Sequence, residues 1–127
     1  MLISLPFKKK SSKSRIPSVD KSQIAQKWIE IEHLTGLGGE SNGKNAIMEA
    51  DKLLDLSLKA MGVEGQTLAE RLKNGRNLFS YEGYNSAWAG HKVRNQIAHE
   101  MGFDLLHHQV VEAVNNFKLA LKDLGVI

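Results

Sequence analysis

Arg94, Asn95 and His99 bring together the residue types needed to move a proton beside a fixed positive charge. They lie in the string His91-Lys92-Val93-Arg94-Asn95-Gln96-Ile97-Ala98-His99-Glu100. On an α-helix, Arg94 and His99 are separated by ~7.5 Å along the axis. Asn95 and His99 share a face at i,i+4, and His91 extends that stripe one turn back. Arginine stays cationic and its planar fork matches phosphate oxygens. Histidine is the side chain whose ordinary titration lies nearest neutral pH, so it can give or take a proton. Asparagine is a poor helix-interior residue, so its place here invites a side-chain role. Such a cluster suits a phosphodiester, and the same residues can also make an ordinary polar helix face. The catalytic candidates are Arg94, Asn95 and His99. His91 and Glu100 are supporting candidates, Glu100 as a partner for Arg94.

Two other patterns fall short of a site. Gly38-Gly39-Glu40-Ser41-Asn42-Gly43-Lys44-Asn45 nearly spells a phosphate-binding loop. However, Asn45 stands where a Ser or Thr would reach Mg²⁺, and a helical pattern precedes it where a strand is required. Among the five histidines, His91 and His99 are two turns apart and His107 adjoins His108. None makes a pair of the His-Glu-x-x-His type that holds zinc. No metal and no cofactor is expected.

The elements that must position the cluster read as helices. The chain has 127 residues, 42% hydrophobic, with two prolines and no cysteine. That fits one domain, with no disulfide framework or thiolate chemistry. Ile24, Trp28 and Ile31 mark a first helix over 19–35, ending in a glycine-rich loop over 36–43. Ile47, Ala50, Leu54, Leu58 and Met61 mark a second over 44–61, closed by Gly62. Thr67-Leu68-Ala69-Glu70 is a capping-box pattern opening a short helix that ends near Asn74-Gly75. A third main helix, capped by Asn85 or Ser86, carries the cluster to about Met101. Asp104 then caps a last helix whose apolar residues run from Leu106 to Leu124. The expected fold is all-α, an antiparallel four-helix bundle with one short extra helix, over 18–127.

Residues 1–17 read as a flexible basic arm. Residues 1–27 carry seven Lys/Arg against Asp20 alone, a net of +6; the remaining hundred carry ten basic and thirteen acidic groups, a net of −3. The basic character thus belongs to the arm, and the acidic body argues against a broad basic surface for nucleic acid. No apolar run reaches the ~18–20 residues of a membrane span. Met1–Phe7 is short and precedes the charges that a signal sequence would follow. A cytoplasmic protein is expected, either with a solubilising tail or membrane-proximal, with Lys8, Lys9 and Lys10 on an anionic lipid surface.

The string Arg94-Asn95-Gln96-Ile97-Ala98-His99 resembles the Arg-x4–6-His signature of HEPN domains (higher eukaryotes and prokaryotes nucleotide-binding), in the variant with Asn after the Arg. Its place near the end of the third main helix, with one helix following, agrees with that family. The resemblance covers residues 19–124 as a helix pattern and six to seven residues as a motif. It implies a bundle that dimerises so that two motifs face one cleft, and a metal-independent endoribonuclease. In that chemistry the ribose 2′-OH attacks the adjacent phosphate, leaving 2′,3′-cyclic phosphate and 5′-OH ends. RNA, a second copy and an inhibitor protein are the implied partners, in a toxin or defence setting. Some toxin members carry a Tyr two residues after the His, and Met101 stands there instead. Other members are noncatalytic binding or dimerisation modules. In that alternative Arg94 pairs with Glu49, Asp51 or Asp55 and His99 is inaccessible; in an enzyme, Arg94 and His99 line an open cleft.

Overall fold

The computed structural model describes residues 18–127, with side chains from Lys21 onward. The basic arm and its Lys8, Lys9 and Lys10 therefore lie outside the described residues. The helices are α1 (Ser18–Leu37), α2 (Glu40–Ala60), α3 (Leu68–Asn74), α4 (Tyr81–His99) and α5 (His107–Leu124), with a 3-10 turn at Arg76–Leu78. The chain is all-α and no strand occurs among the described residues.

Apolar spacing decides which faces are buried. Ile24, Trp28 and Ile31 of α1 meet Ile47, Ala50 and Leu54 of α2, and α5 supplies Val110, Val114, Phe117, Leu121 and Leu124. Burying each large side chain contributes about 1.5–3 kcal/mol. α2 is the central element, packing against all four other helices. α4 is different, because what it buries is Gly83, Ala87, Gly90 and His91. A Cβ on Gly90 would stand 2.8 Å from the Phe117 ring, so the missing side chain is what lets α4 approach α5.

Several boundaries depart from the sequence reading. α2 starts at Glu40, so Glu40–Gly43 is helix and not loop. Gly38 and Gly39, at φ 75° and 89°, turn the chain by themselves, and Asn42 Nδ2 donates to the Gly38 carbonyl at 2.9 Å. Gly43 lies within the helix, and its bare Cα faces Val110, whose Cγ2 would lie 2.6 Å from a Cβ. α4 starts at Tyr81, capped by Ser80 Oγ, which accepts from the Gly83 N–H at 3.0 Å; Asn85 and Ser86 are inside the helix. It ends at His99 and not Met101, since Glu100 is already extended at φ −103°, ψ 111°. α5 starts at His107 and not at Asp104, since Leu106 before it is still extended at φ −79°, ψ 152°, and the preceding Leu105 is buried. Gln109 Oε1 there accepts from the Leu106 N–H at 2.9 Å. Thr67 caps α3 as its pattern predicts, accepting from the Glu70 N–H at 3.2 Å.

Candidate functional site

The cluster on α4 is organised by a carboxylate from α2. Asp51 falls between Ile47 and Leu54 on the apolar stripe of α2, so helical phase carries its side chain inward, leaving it 6% exposed. His91 faces it from α4 and is 8% exposed. His91 Nδ1 lies 2.8 Å from Asp51 Oδ1, and Arg94 Nε lies 3.5 Å from Asp51 Oδ2. A buried carboxylate needs partners of this kind to offset lost hydration.

Asn95 closes a circuit. Its Nδ2 lies 3.4 Å from His91 Nε2, and its Oδ1 accepts from Arg94 Nη1 at 3.2 Å. Each of the four contacts pairs a donor with an acceptor when the imidazole carries its proton on Nδ1: Asn95 donates to His91, His91 and Arg94 to Asp51, and Arg94 to Asn95. The Trp88 ring stands edge-on to the imidazole with centroids 5.8 Å apart. Asp51, His91, Arg94 and Asn95 thus form one polar unit between α2 and α4.

His99 is outside that unit. It is the last residue of α4 and is exposed. From Asn95 it lies one turn further along the same face, so the stripe runs from the buried carboxylate to an imidazole in solvent. Arg94 occupies the middle, with 32% of its side chain exposed. Of the three carboxylates weighed as partners for Arg94, Asp51 takes the role. Asp55 instead accepts from Arg71 Nη1 at 2.7 Å, and Glu49 lies beside Lys27 and Lys52. Glu100, the residue after α4, is exposed and does not reach Arg94. His107 and His108 are exposed at the start of α5.

Sequence reasoning left Asp51 among three alternatives, although the signal was there: it is the acid flanked by core residues at i−4 and i+3. Among the described residues, no three His, Asp or Glu side chains converge as metal ligands would. No helix there is long and apolar enough to cross a membrane. Comparison of the chain with protein-family models, curated proteins and solved structures returned no match.

Proposed function

We propose that the chain is a HEPN-like, metal-independent endoribonuclease acting as a homodimer. The observation that carries the reading is the division of the cluster: a cation held in place by a buried circuit, and one turn on an imidazole open to solvent. A phosphodiester laid across the end of α4 meets the exposed part of the Arg94 guanidinium through its nonbridging oxygens. His99 takes the proton of the 2′-OH as it attacks phosphorus, and the His99 of a second copy protonates the departing 5′ oxygen. The products are a 2′,3′-cyclic phosphate and a 5′-OH. Arg94 stabilises the charge that develops on the phosphorane, and its pairing with Asp51 holds it in place before the reaction begins. Asn95 and His91 are positioning residues that act through Arg94.

Incubating the protein with unstructured RNA and EDTA, beside Arg94→Ala and His99→Ala, tests this reading. Expected are cleavage that survives the chelator, cyclic phosphate ends, and loss of cutting in both variants. Absence of cutting on every RNA tried refutes it.

One observation favours a second reading. The Arg94–Asp51 pair is what a noncatalytic helical module, built for binding or dimerisation, would use to fix α4 on α2. In that case the parent is inert on RNA and Arg94→Ala acts on stability alone.

A further inference from the structure

Beside His99, between α4 and α5, the structure has a cavity of about 190 Å³ that the circuit does not use. That is below the ~300–1,000 Å³ that holds a drug-sized ligand, so it suits one heterocycle and not a whole nucleotide. Val93 and the half-buried Phe103 give it apolar walls, and Gln96, Glu112 and Asn116 line it with polar groups. Gln96 and Glu112 are exposed and Asn116 is half-buried, and none of the three side chains makes a hydrogen bond or ion pair among the described residues. Two amides and a carboxylate therefore share a pocket with an aromatic ring, facing solvent and without a partner among the described residues.

Position ties the cavity to the cluster. At about 100° per residue, His99 lies roughly 40° around α4 from Asn95 and roughly 60° from Gln96, on the side away from Asn95. His99 thus lies between Asn95 and the Gln96 edge of the cavity, while Arg94 lies about 140° around the helix from His99. A strand with a base in the cavity would therefore carry its backbone past His99, one turn along α4 from the cavity edge.

We propose that this cavity seats a guanine base and so selects which phosphodiester reaches His99. The substrate in this statement rests on the RNA reading above; the chemistry of the cavity does not. A carboxylate only accepts hydrogen bonds, and offers two parallel oxygens. Guanine is the one standard base with two adjacent N–H donors on its pairing edge, N1–H and N2–H. Adenine and cytosine set a single amino group beside a ring nitrogen acceptor, which repels the carboxylate, and uracil flanks its one N–H with carbonyls. The Gln96 and Asn116 amides are suited to donate to O6 and N7, the acceptors that guanine shows on its other edge. The Phe103 ring and Val93 supply apolar contact for the base.

The test uses the full chain, labelled with ¹⁵N, titrated with guanosine, adenosine, cytidine, uridine and ribose 5-phosphate. Guanosine is expected to move the Gln96 and Asn116 side-chain amide resonances with an affinity about tenfold above the other nucleosides. Ribose 5-phosphate leaves them still, which separates base recognition from phosphate binding. Glu112→Gln, an exposed position whose change leaves the fold intact, abolishes the preference. Resonances that stay still up to millimolar guanosine, or respond alike to all four nucleosides, overturn the proposal. In parallel, cut sites are mapped on RNA for the parent and Glu112→Gln. Guanosine binding without any cleavage refutes the RNA reading and leaves the guanine seat standing. Cleavage whose base preference is the same in Glu112→Gln overturns the seat and leaves the RNA reading standing.

Discussion

Replacing Asp51 with Ala should unfold the circuit between α2 and α4 from its buried end. The carboxylate side chain is 8% exposed and its imidazole partner 10% exposed, at 2.8 Å. Removing it leaves His91 Nδ1 without an acceptor where water has little access, a cost of ~1–3 kcal/mol. Breaking a buried ion pair by deleting one partner costs about 3–5 kcal/mol when both charges are sealed off. Arg94 is not sealed off: its side chain is 32% exposed, so the guanidinium turns toward water and adds well under ~1 kcal/mol. The expected net loss is about 2–3 kcal/mol. At roughly 4 °C per kcal/mol for a domain of this size, Tm falls by about 8–12 °C. Urea melts followed by helical circular dichroism measure the loss, with an unchanged slope confirming that the transition stays cooperative. Asp51→Asn keeps an acceptor for His91 and should lose less than half as much. A double-mutant cycle of Asp51→Ala with His91→Ala should return a coupling of about 1–2 kcal/mol. An Asp51→Ala loss below ~0.5 kcal/mol, within the range of ordinary surface changes, or strict additivity in the cycle, refutes the claim that this carboxylate organises the site.

Three further expectations follow from the same geometry. His99→Ala removes an exposed side chain, so its stability should stay within ~0.5 kcal/mol of the parent while RNA cleavage disappears; a large destabilisation would assign His99 a structural role. Gly90→Ala sets a Cβ 2.8 Å from the fully buried Phe117 ring. Overpacking of ~1–3 kcal/mol should outweigh the helix-propensity gain of ~1 kcal/mol and lower Tm; an unchanged or higher Tm would show that α4 and α5 can separate freely. Asp55→Ala strands Arg71, whose side chain is 10% exposed, and should cost about 1–3 kcal/mol in the same melts, whereas a neutral result would mean that Arg71 finds another acceptor.

What the sequence made legible was whatever repeats at helical period. α5 runs Val110, Val114, Phe117, Leu121 and Leu124, and Gly125 closes it in the left-handed conformation at φ 80°. α4 was harder, because its buried residues are two glycines, an alanine and a histidine, and a helix that packs through small residues leaves little hydrophobic period to read. Its start at Ser80 depends on a distant residue, since Asp123 Oδ2 accepts from the Ser80 N–H at 2.6 Å. Composition misled at Glu40–Gly43, where Gly43 serves close packing and not chain reversal. The cluster's residue types and spacing were visible in the string itself. The pairing of Arg94 was legible only as a choice among Glu49, Asp51 and Asp55, and that of Arg71 with Asp55 not at all, because α3 must dock on α2 before those charges meet.

The Gly38–Gly39 turn has a consequence for how many chains make one folded unit. Two residues, both in a backbone conformation that side chains resist, separate a hairpin from a single rod. Were both to adopt helical angles, 18–60 would form one continuous helix roughly 65 Å long. Ile24, Trp28 and Ile31 would then lie beyond reach of their own α2 and could be covered only by α2 of another molecule. The absence of two Cβ atoms therefore makes folding back on itself the cheaper arrangement, and the choice between a self-contained bundle and an exchanged pair rests on that turn.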